Sequence, residues 1–163
     1  MKIATPVSRS TEFRERLSNR TFVADGAMGS MLYSRGVFIN RCFDELNLTA
    51  PRMIAEIHAE YAAAGAEILE TNTFGANRAR LAGFGLADKT VAMNHAGVRL
   101  AREASDDVYV AGAMGPLGVH LAPVGAMTLA EARSIFREQA QALCEAGADL
   151  LLLETFTDLS ELR

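Results

Sequence analysis

The sequence has 163 residues, 50% hydrophobic and 22% charged, and its 16 Lys plus Arg against 20 Asp plus Glu leave a net charge of −4. That length and balance describe one folded domain rather than a disordered segment or a disulfide-stapled mini-protein, and mild acidity gives no electrostatic ground for binding nucleic acid or an anionic membrane. Cys42 and Cys144 stand far apart without CxxC spacing, so a disulfide framework is excluded and a reducing, cytoplasmic setting is expected.

Residues 1–20 are polar and basic without an apolar run, and read as an N-terminal helical or polar extension, not a secretory signal or membrane span. A short apolar run, TFVAD at 21–25, is the first expected strand. Thr49 followed by Pro51 predicts a capped helix start, with Ile54, Ile57 and Tyr61 at helical spacing and Gly65 as the stop. EILET at 67–71 is the second strand. Over 88–104, Met93, Ala96 and Leu100 make one helical stripe, and VYVAGA at 108–113 is the third strand. Thr128 opens a further helix with Leu129, Ala132, Phe136, Ala140 and Leu143 inward and Gly147 at its end. DLLLLE at 149–154 is the fourth strand. The second and fourth units share wording, since Ala-Gly-Ala, an acidic residue, an aliphatic strand and Glu-Thr occur in both.

The runs start at 21, 67, 108 and 149, a spacing of 41 to 46 residues with helices between them, which is an α/β repeat of parallel strands. No GxGxxG or GxxxxGK[ST] follows any strand, so the nucleotide-binding open sheets lose their main support. In a (β/α)8 TIM barrel, functional residues sit at the carboxyl ends of the strands, and Asp25, Glu70, Thr71, Asn72 and Glu154 stand there. A complete barrel needs about 250 residues. The expectation is therefore the first four β/α units of such a barrel, completed by a missing second half or by self-association.

Five joints, DGAMG at 25–29, Asn47-Leu48-Thr49 with Pro51, ETNTF at 70–74, AGAMGP at 111–116 and LET at 153–155, resemble the homocysteine S-methyltransferase family in order and spacing. FINRCFDELNL at 38–48 is most similar to the bacterial proteins that fuse this domain to a methylenetetrahydrofolate reductase, and then to cobalamin-dependent methionine synthases. The resemblance implies a transferase that methylates the homocysteine thiol to give methionine, with residues 1–163 as the N-terminal part of a homocysteine-binding barrel domain. It implies zinc, which keeps the substrate sulfur as thiolate, held by cysteines expected beyond residue 163. Neither Cys42 nor Cys144 matches a ligand position, so no metal-binding or catalytic residue is assigned and the chain alone is expected to be inactive.

The same resemblance assigns Asp25 and Glu154 to the substrate ammonium, backbone N–H groups around Gly26 to its carboxylate, and Thr71 and Asn72 to the pocket lining. It leaves the methyl donor open among methylcobalamin, methylfolate, betaine and S-methylmethionine. Structural alternatives stand beside these roles: a turn for Asp25, a salt bridge for Glu154, and strand-end capping for Thr71 and Asn72. Gly112 and Gly115 are expected in tight turns, Cys144 as a packed core thiol, Cys42 as a solvent-facing one. His58 and His95 have no ligand at i+4, and His120 is expected on the surface. Two rival functions remain: a non-catalytic, self-associating half barrel, and another barrel enzyme acting on a small amino acid.

Overall fold

The computed structural model describes residues 8–162. Residues 1–7 of the expected extension lie outside them, and its remainder carries α1 (Arg9–Leu17), capped by the Ser8 side chain. The chain continues through α2 (Met28–Ser34), α3 (Leu46–Thr49), α4 (Pro51–Ala63), β1 (Ile68–Glu70), α5 (Arg78–Ala82), α6 (Thr90–Ala104), β2 (Tyr109–Met114), α7 (Leu129–Glu145), β3 (Leu150–Leu153) and α8 (Leu159–Leu162). It is an α/β fold whose small parallel sheet has the order β1-β2-β3, with Leu69 opposite Val110 and Gly112 opposite Leu151.

The run at 21–25 was expected to be a full strand and forms a single parallel bridge, Ala24 to Ile68. Its extended backbone does follow β1, since Asp25 N–H donates to Ile68 O at 3.0 Å and Ile68 N–H to Val23 O at 3.2 Å. The ladder stays short because β1 is a three-residue strand and the Val23 N–H turns to the Glu67 carboxylate at 3.3 Å instead of a carbonyl.

Strand β2 is buried at every position, as a parallel strand covered on both faces must be. On one face Val110 and Met114 join Leu69, Val98, Ala101 and Leu143 in the main core, where each fully buried aliphatic side chain contributes roughly 1.5–3 kcal/mol. On the other face Tyr109 meets Phe13 of α1 and Phe22, with ring centroids 5.0 and 5.6 Å apart. Helix α1 is then fastened across the start of the sheet: Arg9 pairs with Asp149 at 3.1 Å, and the Ser10 hydroxyl donates to Asp149 O at 2.6 Å.

The helices follow their patterns with identifiable exceptions. In α4, Pro51 occupies the first turn and Ile54 and Ile57 are buried, but Thr49 is not the cap: it ends α3 and donates its hydroxyl to Glu45 O. In α6 the stripe of Met93, Ala96 and Leu100 is buried as its spacing requires. Helix α7 starts at a capping box in which Thr128 and Glu131 satisfy each other's backbone N–H groups. Its inward face is largely the expected one, with Ala132 and Leu143 buried and Phe136 and Ala140 packed partly buried against the main core. Leu129, at the first turn, is 50% exposed, and Cys144 is exposed rather than a packed core thiol. Gln139 and Ala142 are buried beside this face, the Gln139 Nε2 donating to Thr73 O at 2.8 Å.

Two glycines thought to serve turns instead allow close packing. Gly112 lies within β2, where a Cβ would come 3.0 Å from Leu143 Cδ1, and Gly115 lies against the ring of Phe74. Among the described residues no helix is long and apolar enough to cross a membrane.

Candidate functional site

The segments that leave the carboxyl ends of the strands meet over one cleft of about 720 Å³. Asp25 and Gly26 come from the extended run before α2, Glu70, Thr71 and Asn72 from the end of β1, and Glu154 from the end of β3. All five residues singled out in the sequence line this cleft, together with Glu70, to which the sequence assigned no role.

The acidic wall is the electrostatic feature of the site. Both carboxylate oxygens of Asp25 accept the Glu70 N–H at 3.1 Å, which fixes the side chain against the start of the next loop. Burial, reinforced by the nearby charges of Glu70 and Glu154, pushes the Asp25 carboxyl up to about 7, although the Glu70 N–H opposes the shift. Glu70 is raised in the same way, by burial first and then by Glu154. Three carboxylates from separate β/α units thus share one low-dielectric wall, an arrangement that favours a bound cation over three free negative charges. Glu70 was legible as a strand-end residue without a role, and its nearness to Asp25 depends on positions 45 residues apart in the sequence coming together.

Thr71 and Asn72 line the cleft, yet their polar groups are largely committed to its walls. The Thr71 hydroxyl accepts Ala113 N–H at 3.0 Å and shares a 2.5 Å hydrogen bond with Thr73, whose hydroxyl donates to Ala113 O at 2.8 Å. The Asn72 amide donates to Phe43 O at 2.8 Å and to Asn47 Oδ1 at 3.0 Å, while Asn47 Nδ2 donates back to Asn72 O at 2.7 Å. Gly97 makes this loop possible, because a Cβ there would stand 2.5 Å from Thr73 Cγ2 and push α6 away. Such a fully bonded loop is a rigid support for its neighbours.

The cleft is also lined by Cys42, Asp44, Gly75 and Arg80. Cys42 is buried rather than solvent-facing, with Sγ 3.7 Å from Asp44 Oδ2, and burial together with Asp44 pushes its thiol up to about 11. It is therefore a neutral wall residue and not a thiolate at neutral pH. Asp44 is also raised by burial, opposed by the Gly75 N–H that it accepts at 2.9 Å. Among the described residues no three His, Cys, Asp or Glu side chains form a group that could hold a metal ion. The donors at hand do not fit zinc: Cys42 is protonated and Cys144 lies exposed on α7.

Residues 22–163 match the model of the family described as homocysteine S-methyltransferase. The methionine synthases of Mycobacterium tuberculosis and Mycobacterium leprae are each 35% identical over 166 residues, which is 94% of this chain and 14% of theirs. The homocysteine methyltransferase MmuM from Escherichia coli, in its oxidized form, superposes with a TM-score of 0.80 at 28% identity, covering 92% of this chain and 58% of that one. Its metallated form gives 0.79 at the same identity, with 59% of that chain covered. The chain thus spans a small fraction of the curated relatives and somewhat more than half of the solved structure.

Proposed function

The chain belongs to the homocysteine S-methyltransferase family, and on that premise we propose that its cleft holds homocysteine by its amino-acid end for methylation of the thiol to methionine. One observation carries this reading: Asp25, Glu70 and Glu154 converge in a single cleft with no cation of the chain paired to them among the described residues. An ammonium entering there replaces mutual repulsion with attraction and donates hydrogen bonds on several sides. Asp25 and Glu154 hold the ammonium. Backbone N–H groups of the segment around Gly26 face the carboxylate, and Thr71 and Asn72 form the floor that keeps Asp25 in place. Glu70 joins this set as a third acidic neighbour.

The architecture that accompanies this reading is the (β/α)8 barrel, with residues 1–163 as its N-terminal part and 1–20 as an extension. The parallel sheet and the superposition on MmuM support it. Zinc supplies the family's means of keeping a thiolate, and the metallated form of MmuM is in keeping with that chemistry. The described residues offer no ligand set for it, so the part given to this chain is substrate holding, and turnover by the chain alone is not expected. Free thiols at Cys42 and Cys144 are in keeping with a cytoplasmic protein.

Calorimetric titration of homocysteine into the purified chain tests the proposal. Saturable binding is expected, weakened at least about tenfold by Asp25→Asn and by Glu154→Gln, as loss of a charged hydrogen bond implies. Binding that is indifferent to both substitutions, or absent at millimolar ligand, would overturn it.

A further inference from the structure

The three carboxylates make up only part of the lining of a cleft whose volume, about 720 Å³, suits a ligand much larger than a small amino acid. The same cleft is lined by an arginine whose guanidinium has no hydrogen-bonded partner among the described residues. Arg80 is half-buried at the cleft, its guanidinium lies over the Phe74 ring at 5.2 Å, and Phe74 is in turn packed against Gly115. Its backbone is anchored, because Asn77 Oδ1 accepts Arg80 N–H at 3.0 Å while Asn77 Nδ2 donates to Pro116 O at 3.3 Å. Gly75 leaves the space in which this side chain and Asp44 meet, since a Cβ there would stand 2.7 Å from Asp44 Oδ2 and 3.4 Å from Arg80 Nε.

Among the described residues the guanidinium makes neither a hydrogen bond nor an ion pair within 4.0 Å. Asp44 approaches it across Gly75, and the Arg80 charge acts to lower the Asp44 carboxyl, but burial is the larger influence and the two form no ion pair within 4.0 Å. Arg41 also lines the cleft, and Phe84, 53% exposed, adds an apolar surface beside these cations. A planar guanidinium fixed by stacking, with its donors unused, is suited to a planar oxyanion.

We propose that Arg80, stacked on Phe74, is the anion anchor of a second subsite in this cleft, which takes the carboxylate or other oxyanion carried by the methyl donor. The proposal rests on the reading of the cleft as a methyl-transfer site and deepens it. The donor it describes is a small molecule bearing an oxyanion, seated in the same cleft as the ammonium-binding acids. An arginine that merely balances Asp44 would leave the affinity for added anions unchanged when removed.

The test titrates the chain separately with succinate, with inorganic phosphate and with homocysteine. Saturable binding of at least one anion is expected, weakened about tenfold or more by Arg80→Gln while homocysteine affinity changes less than about twofold. A preference for succinate assigns the anion to a carboxylate, and a preference for phosphate assigns it to a phosphoryl group. Arg80→Lys, which keeps the charge, should bind with intermediate affinity. In the unaltered chain, the Arg80 Nε–H resonance should move with the same saturation curve, a measurement that needs no variant to fold. If neither anion saturates, or the resonance stays still, or Arg80→Gln binds both anions as the unaltered chain does, the subsite is wrong. Arg80-dependent anion binding without homocysteine binding would instead keep the subsite and discard the function proposed above.

Discussion

Two joints of this chain are written in nearly the same residues and end differently. At 64–71 a helix stops at Gly65, Glu67 follows, β1 runs, and Glu70-Thr71 closes it. At 146–155 the order returns with Gly147, Asp149, β3 and Glu154-Thr155. The local parts agree. Both glycines are left-handed, with φ of 103° and 94°, and both acids accept an N–H from the start of the neighbouring strand segment, Glu67 from Val23 and Asp149 from Val110. The surroundings do not. Glu67 meets the partly exposed Arg20, whereas Asp149 is 7% exposed and held between Arg9 and Arg102. Beyond the strands, Thr71 is bonded into β2, while Thr155 is exposed with a φ of 61°. Local sequence sets the glycine stop and the strand, but the loop after a strand becomes a fixed wall only where its neighbours satisfy its polar groups.

Substitutions in the two joints should separate accordingly. Asp149→Ala strands two arginines and the Val110 N–H and should lower unfolding stability by about 2–3 kcal/mol, less than a wholly buried pair because both arginines reach water. The matched Glu67→Ala, at a partly exposed pair, should cost far less than Asp149→Ala. Urea midpoints compare them, and equal losses would erase the distinction between the joints. At the next level, Thr71→Val should cost about 1–2 kcal/mol, for it removes the hydroxyl that links Ala113 and Thr73, and should also weaken homocysteine binding by loosening the loop that lines the cleft. The smallest effect belongs to Thr155→Gly. Relief of a left-handed β-branched residue, partly offset by glycine's greater freedom when unfolded, should raise stability by about 0.5 kcal/mol. A thermal melt that falls instead would mean that Thr155 is held by contacts of its own.

The repeat of strand and helix was legible because it rests on short-range physics: aliphatic runs, a capping box at Thr128, glycine stops at 65 and 147. The carboxylates at the strand ends were legible because a parallel sheet places all such ends together. What the sequence hid were buried polar residues. No periodicity marks Gln139 of α7, yet it is fully buried with its amide bonded to Thr73 O. Asp44 and Asn47 stand in the family-like segment 38–48 with no partner assigned, and their partners at Gly75 and Asn72 are 31 and 25 residues away. His58 is fully buried with both ring nitrogens unpartnered, and burial pushes it down to about 4, so it packs as a neutral ring. No spacing rule reports such pairings, because the chain closure that creates them is tertiary. The reversal of the two cysteines has the same origin: Cys42 is buried because the loop that bears it folds over Asp44 and the cleft.

The meeting of Asp25 with Glu154 is open to direct measurement by carbon-detected NMR titration of the Asp25 carboxyl. Its folded value is raised above the ordinary 3.8, so the stability it contributes is full below that pH and is lost as pH rises through about 7. The predicted midpoint is about 7 in the unaltered chain, and lower in Glu154→Gln, though still above the ordinary range because burial is the larger cause. An ordinary carboxylate midpoint, unchanged by Glu154→Gln, would contradict the convergence of these residues on one cleft.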